Sequence, residues 1–289
     1  MILVIDIGNT TMEFGLYEGD SLTGVFRLGS KRDITSDEVG LFVTQFFEYK
    51  KLSVSDVTDV IISSVVPQIN YSVSSSVRKY FNREPLVIGE NLFCNMPNLY
   101  ENPKEVGADR IVDSYAAFKK YGGPLIIVDF GTATTCEAVS EAGEYLGGII
   151  YPGIKTSMDA LYEKAAKLPK IEILKPEFAL GKNTVSSMQS GAYYGYLGAI
   201  DMMVRNLKSV IGENAKVVAT GGFARLFAEE ELFDHIDQRL PLEGIKMVYE
   251  DSNKYDKKET RPLRVAFLFN CRGRYYPPEL KPPRRRDNH

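Results

Sequence analysis

The sequence predicts an α/β protein built from two similar halves. Three observations predict it. The stretch Ile-Leu-Val-Ile-Asp-Ile-Gly-Asn-Thr at residues 2–10 is nearly repeated as Leu-Ile-Ile-Val-Asp-Phe-Gly-Thr-Ala-Thr at 125–134. Each copy is a short apolar run closed by an acid and a glycine, the pattern of a buried strand with turn chemistry at its end. The order strand, turn, strand, strand, helix follows each copy, and Asp6 and Asp129 stand 123 residues apart, a reasonable domain length.

The first half reads in order. Met12, Phe14 and Leu16 alternate with Glu13, Gly15 and Tyr17, which is strand periodicity, and Gly19-Asp20 turns the chain into a returning strand at Leu22–Leu28. Thr35 and Glu38 have capping-box spacing at a helix start, and Val39, Phe42, Val43 and Phe46 fall on one helical face. Asp59–Ser64 reads as a buried strand that Pro67 ends, and Leu86–Ile88 as a further short strand. Residues 89–109 lack periodicity and read as loop, with a helix from about Asp109 to Lys120.

The second half opens with the strand Leu125–Val128. Glu137–Ser140 and Tyr145–Ile150 suggest another meander, Lys155–Ala166 and residues 184–209 read as helices, and Lys216–Thr220 as a strand running into Gly221-Gly222. Gly191, Gly195, Gly198 and Ala199 recur at helical spacing, which suits close packing. The expected organisation is residues 1–116 as one half, 117–250 as the other, and 251–289 as a polar and basic tail expected to be disordered. Within that tail Val265–Asn270 has the composition of an extra strand, and Arg284-Arg285-Arg286 follows two Pro-Pro pairs.

Bulk properties exclude several classes. Of 289 residues, 44% are hydrophobic and 25% charged, ordinary values for a globular protein. A net charge of -3 argues against nonspecific nucleic-acid binding as the main role. No apolar run nears the roughly 18 residues needed to span a bilayer, and the run at Ile2–Ile5 is too short for a signal-peptide core. Three widely spaced cysteines and two histidines indicate neither a zinc site nor a disulfide framework, and a reducing cytoplasm is the simplest setting.

An acid at the end of a buried strand costs desolvation unless it faces a cation, a metal-bound water or a phosphate-bound ligand. Two such acids suggest two half-molecules closing on one anionic ligand. Gly8 would let backbone N–H groups approach an oxyanion, Asn9 and Thr10 would add neutral donors, and Asp6 would hold a Mg²⁺-bound water. Asp129-Phe130-Gly131-Thr132 repeats that design. Thr220-Gly221-Gly222-Phe223-Ala224 would let a base or ribose lie against the backbone. Each stretch alone is equally a strand ending in a tight turn; the pairing is what favours a site. Gly148–Thr156 nearly matches a Walker A loop but holds one residue too many before Lys155, and no dinucleotide fingerprint occurs.

These elements, in this order, resemble the actin/hexokinase/Hsp70 ATPase superfamily. Longer stretches resemble type III pantothenate kinases: Glu101–Arg110, Asp129–Thr135, Gly147–Gly153, and Gly181-Lys182-Asn183-Thr184-Val185 with Ser187-Met188-Gln189. The resemblance covers about residues 1–250. It implies two ribonuclease-H-like (actin-like ATPase) domains, each a mixed five-stranded sheet flanked by helices. It implies a cytoplasmic homodimer that transfers a phosphoryl group from ATP to the 4′-hydroxyl of pantothenate, the first step toward coenzyme A, with no nucleic-acid or membrane partner.

The resemblance also implies site residues. Tyr100, Gly107, Ala108, Asp109, Arg110 and Thr184 would line the pantothenate site. Asp6, Ile7, Gly8, Asn9, Thr10, Thr11, Met12, Glu13 and Thr132 would bind ATP with Mg²⁺. Asp129 would bind a monovalent cation, K⁺ or NH₄⁺. Physically, Asp109 at a helix start is placed to be a general base, although an N-cap is the common fate of Asp there. Arg110 would clamp the pantothenate carboxylate, with a surface ion pair as the plain reading. Thr11 departs from the usual Asn, and Cys136-Glu137 from the usual Phe-Asp. The alternatives are another small-molecule kinase of the superfamily, or a non-catalytic regulatory protein on the same fold, which intact Asp6, Asp109, Asp129 and Thr132 disfavour.

Overall fold

The computed structural model describes residues 1–258. The chain begins with an antiparallel meander, β1 (Ile2–Ile7), β2 (Thr11–Glu18) and β3 (Ser21–Gly29). Then come α1 (Ser36–Lys50), β4 (Asp59–Ser64), α2 (Pro67–Ser76) and β5 (Leu86–Val87). The first sheet has the order β3-β2-β1-β4-β5, with β4 and β5 parallel to β1. After α3 (Ala108–Tyr121) the pattern returns: β6 (Leu125–Phe130), β7 (Ala133–Val139) and β8 (Tyr145–Pro152) form the second meander. Next are α4 (Ile154–Lys164), α5 (Thr184–Ile211), β9 (Lys216–Gly221), β10 (His235–Ile236) and α6 (Leu240–Lys258). The second sheet has the order β10-β9-β6-β7-β8, with β9 parallel to β6. Two mixed five-stranded sheets flanked by helices are thus present, as the resemblance implied.

Local chemistry explains the agreements. The Thr35 hydroxyl accepts from the Glu38 N–H at 3.2 Å while the Glu38 carboxylate accepts from the Thr35 N–H at 2.8 Å, a closed capping box. Pro67 ends β4 as expected, but it also starts a helix, because a proline at the first helical position loses no bond there. The serine-rich run behind it, with only Ile69 and Val73 buried on its apolar side, hides that helix from a periodicity search.

Three cores follow. One lies between the first sheet and α1 and α2. Another lies between the second sheet and α5. The third joins the halves: Val4, Tyr17 and Ile61 of the first sheet and Leu125, Ile127 and Val218 of the second pack around α3 and α6.

The tail does not begin at Asp251. Helix α6 continues through that residue to Lys258. Leu242, Ile245 and Val248 are spaced for one helical face and are all buried. Asp251 accepts a hydrogen bond from the Tyr115 hydroxyl and pairs with Lys119 at 2.9 Å. Asn253 and Lys254 just after it are exposed, which is why the stretch looks polar in sequence. Helix α6 also returns to the first sheet, packing on β1, β2 and β4 as well as on α3. Val265–Asn270 and the arginine run lie outside the described residues. Among the described residues, no helix is long and apolar enough to cross a membrane.

Candidate active site

The β1–β2 and β6–β7 turns face each other between the two sheets. The Gly8 N–H donates to the Thr11 carbonyl at 3.1 Å, and the Gly131 N–H to the Ala133 carbonyl at 3.1 Å, so each turn is closed by its glycine and the first is one residue longer than the second. The turns touch directly: Thr10 Oγ1 and Thr132 Oγ1 share a hydrogen bond of 2.8 Å. The second turn rests on α4, whose Gly153 N–H and Thr156 hydroxyl both donate to the Thr132 carbonyl, at 3.0 and 2.7 Å. A Cβ at Gly153 would lie 2.4 Å from the carbonyl oxygens of Gly131 and Thr132, so this close approach requires glycine.

Asp6 and Asp129 stand at equivalent registers. Asp6 lies between Glu13 of β2 and Ser63 of β4, and Asp129 between Thr135 of β7 and Thr220 of β9. Gly221, at φ +86°, takes a conformation that side chains disfavour, and a Cβ there would lie 2.4 Å from Asp129 Oδ1. The expected nucleoside loop therefore starts against the second acid.

Asp109 enters from α3. Its Oδ1 accepts from the Arg110 N–H at 2.7 Å, which ties the carboxylate to the first turn of the helix beside the other acids. Burial, then Asp109, Asp129 and Glu13, push the Asp6 carboxyl up to about 7, although the Ser63 hydroxyl pulls the other way. Burial, then Asp109 and Glu137, push Asp129 up to about 7. Burial likewise raises Asp109. Three acids distant in sequence thus lie close enough to repel one another.

Sequence reasoning missed a fourth. Asp113 is one turn after Asp109, a spacing that puts both on one helical face. It is 5% exposed, and its Oδ1 has no hydrogen-bond partner. Burial, followed by repulsion from Asp129, Asp6, Asp109 and Glu137, raises it well above the usual carboxylate range. The hydroxyls of Thr134 and Thr220 are also buried without partners.

Arg110 is not a surface ion pair. Its Nε and Nη2 donate to Glu137 Oε1 and Oε2 at 2.7 and 2.8 Å, with side-chain exposures of 11% and 2%. The Tyr145 hydroxyl donates to Glu137 Oε2 at 2.6 Å, and the Tyr100 ring lies 6.3 Å from that of Tyr145. Gly107 caps α3, where a Cβ would lie 2.5 Å from Asp109 Oδ1, and Ala108 is the helix's first residue.

Other expected residues lie apart. Ile7 and Met12 are fully buried in the first core, so only their backbone belongs to the loop. Asn9, Thr10 and Thr11 are exposed. Glu13 pairs with Arg27 at 2.8 Å and borders a cavity of about 620 Å³ that Arg225 and Arg239 also line. Thr184, at the first turn of α5, lies in a separate groove of about 760 Å³ with Met158, Leu161, Leu168 and Met188.

A divalent ion fits this site in one way. Among the described residues, no three His, Cys, Asp or Glu side chains converge on one ion. Mg²⁺ is ordinarily held by one or two carboxylates, with phosphate oxygens and waters completing its shell. Acids that repel one another without such a charge, beside two unpartnered hydroxyls, suit an ion that arrives with a nucleotide.

Two duplicated lobes, with facing acid–glycine turns over a carboxylate-lined cleft, define a small-molecule kinase of the actin-like ATPase fold. The family model for type III pantothenate kinase matches residues 2–206. A type III pantothenate kinase of Exiguobacterium sp. strain AT1b is 48% identical over 255 residues, covering 88% of this chain and 100% of its own. The chain belongs to the type III pantothenate kinase family. Two solved structures share the fold. One, described as a Baf family transcriptional activator from Campylobacter jejuni, has TM-score 0.55 and 18% identity over 88% of this chain and 100% of its own. The other, described as a 2-dehydro-3-deoxygalactonokinase protein from Sinorhizobium meliloti, has TM-score 0.57 and 10% identity over 93% of this chain and 100% of its own.

Proposed function

We propose that the cleft between the two turns phosphorylates pantothenate to 4′-phosphopantothenate with ATP, opening coenzyme A biosynthesis, and that Asp109 is the general base. The observation that carries the assignment is the convergence of Asp6, Asp109 and Asp129 beneath the joined Thr10 and Thr132 hydroxyls. Oδ1 of Asp109 is held by the helix start, which leaves Oδ2 for the acceptor hydroxyl. Burial raises its proton affinity, which suits a base, a role worth roughly 10²–10⁴-fold in rate. Because the Gly8 N–H closes on Thr11, phosphate donors come from Asn9, Thr10 and Thr11, with Thr132 opposite. Bound Mg²⁺ would neutralise phosphate charge, with Asp6 holding one of its waters.

Asp129 takes a monovalent cation, K⁺ or NH₄⁺. Its high proton affinity and the unpartnered Thr220 hydroxyl beside it support that role. Tyr100 and Arg110 face the carboxylate end of pantothenate. The protein works as a cytoplasmic homodimer without nucleic-acid or membrane partners, in keeping with a net charge of -3. Leu161, Tyr162, Val185 and Met202 are exposed, and a Cβ added at Gly191, Gly195 or Gly198 of α5 would meet no atom from elsewhere in the chain within 4 Å. Thr184 lies in the groove beside them, so it belongs to a pocket completed near the dimer interface.

An ADP-release assay with pantothenate, run in K⁺, NH₄⁺ and Na⁺, tests the reading. Turnover that needs pantothenate and one of the first two ions is expected. Equal rates in Na⁺ overturn the cation role, and no turnover with pantothenate overturns the substrate.

A further inference from the structure

Glu137 departs from the usual aspartate of the family, and the structure gives its longer side chain a task. It leaves β7 across from Gly148 of β8 and meets the guanidinium of Arg110 on α3. Both carboxylate oxygens are used by Arg110, in the planar fork geometry that fixes a guanidinium most firmly. The Tyr145 hydroxyl then fixes the carboxylate from the other side at 2.6 Å. The ring of Tyr145 lies 5.9 Å from the guanidinium centre, so it also borders the arginine.

The adjacent glycines belong to the same device. A Cβ at Gly148 would lie 2.5 Å from Glu137 Oε2, 2.4 Å from the Cys136 carbonyl oxygen and 3.1 Å from Arg110 Nη2. A Cβ at Gly147, whose φ is +130°, would meet the Tyr100 ring at 3.5 Å. Gly148 therefore leaves room for the Arg110–Glu137 pair, whereas Gly147 is required by its φ, since 3.5 Å from the Tyr100 ring is an ordinary contact. No phosphate contact is needed to explain these two glycines.

We infer that Glu137, seated over Gly148 and held by Tyr145, is a positioning residue that fixes the guanidinium of Arg110 for the carboxylate of pantothenate. The inference rests on the proposed role of Arg110 in binding that carboxylate. The pair uses Nε–H and one N–H of Nη2, and leaves both N–H groups of Nη1 and the second of Nη2 available to substrate. Aspartate, shorter by one methylene, would have to draw α3 and β7 together to make the same two bonds. Glu137 also faces other charges: it adds to the repulsion on Asp109 and Asp129. Its effects therefore extend beyond the arginine, and the test must separate them.

Steady-state kinetics of the full chain with pantothenate and ATP as varied substrates, over a pH series, provide that test. Glu137→Gln keeps the volume and the Tyr145 contact but loses the charge. It should raise KM for pantothenate about 10- to 100-fold, the scale of a misplaced binding group, with KM for ATP unchanged. The acid limb of kcat should move to lower pH, because one charge repelling Asp109 is gone. Glu137→Asp should restore part of the pantothenate affinity. A rise in both KM values together with a lowered Tm would show a packing role only and overturn the inference. Arg110→Ala separates the two readings. If it leaves KM for pantothenate unchanged, the role of Arg110 fails; if it raises that KM while Glu137→Gln does not, the positioning role alone fails. Gly148→Ala provides a route that leaves Glu137 intact, and it should raise the same KM by crowding the carboxylate.

Discussion

Thr10 and Thr132 are 122 positions apart, yet their hydroxyl oxygens stand 2.8 Å apart. Thr10 stands two residues after Gly8 and Thr132 one after Gly131, so this bond joins the two repeats through their turns. The carbonyl of Thr132 is further held by Gly153 and Thr156, and the first turn is held in a similar way by Ser30, whose N–H donates to the Thr10 carbonyl at 3.0 Å and whose hydroxyl donates to the Gly8 carbonyl at 2.6 Å. An exposed bond between neutral hydroxyls contributes little to stability, about 1 kcal/mol at most. Its consequence lies in placing two hydroxyl groups over the cleft.

Thr132→Val, which keeps the shape and removes the hydroxyl, should therefore raise KM for ATP several-fold with little change in Tm. Thr10→Val should do the same. Because the two groups share one bond, the double variant should lose less than the sum of the single losses, by about 0.5 kcal/mol or more. A double-mutant cycle on kcat/KM for ATP measures this, and strict additivity would show that the two turns act independently.

Asp109→Asn should lower kcat by roughly 10²–10⁴-fold while circular dichroism and Tm stay near those of the parent. The wild-type rate should fall on the acid side at a pH above the ordinary carboxylate range. Burial raises the proton affinity of Asp109, so the base is lost as pH falls through that raised value. The pH profile of kcat/KM checks the direction, and an acid limb near pH 4 would contradict the buried environment.

How much of this was legible in the sequence depends on distance along the chain. Asp6-Ile7-Gly8 and Asp129-Phe130-Gly131 are local strings, so their strands and turns could be read directly. The Thr35–Glu38 cap was legible for the same reason. The pairing of Arg110 with Glu137 was not, because they lie 27 positions apart on different elements with β6 between, and either residue alone resembles a solvated charge. Asp113 carried a weak signal, its four-residue spacing from Asp109, but only the fold shows that this helix face is buried. Helix α6 was hidden because the polar run from Asp251 onward resembles a tail, whereas the apolar repeat of Leu242, Ile245 and Val248 lies earlier in the same helix.

The acidic cleft also fixes how metal-free protein should respond to pH. Asp6 holds its proton in the fold up to about 7, against 3.8 for an ordinary aspartate. Between those values the unfolded chain releases a proton that the folded chain keeps, so stability falls as pH rises through that window and levels off above it. Asp113 acts in the same sense. Tm of the protein without nucleotide or metal should therefore be several degrees higher at pH 5 than at pH 8. Asp113→Asn should flatten the difference and raise Tm at pH 8, because it removes an uncompensated buried charge. Thermal melts of both proteins at the two pH values check this. A parent that melts higher at pH 8, with no change in the variant, would show that these groups are already neutralised.

Helix α6 links the C-terminal end of the described chain to the first sheet, and this gives a sharp contrast between two truncations. Leu240, Leu242, Ile245 and Val248 are each buried in the core that joins the halves. A fully buried aliphatic side chain contributes about 1.5–3 kcal/mol, so removing the helix takes away an amount comparable with a whole domain's stability. Ending the chain at residue 239 should therefore abolish cooperative unfolding and activity together. Ending it after Lys258 keeps every described contact and should leave both unchanged. Val248→Asp, a single buried charge at the same interface, should lower Tm sharply even in the full-length chain. If cutting after Lys258 abolished activity while Tm stayed constant, the segment beyond the helix would act on the reaction rather than on the fold, and pantothenate and ATP kinetics of that variant would show which substrate it serves.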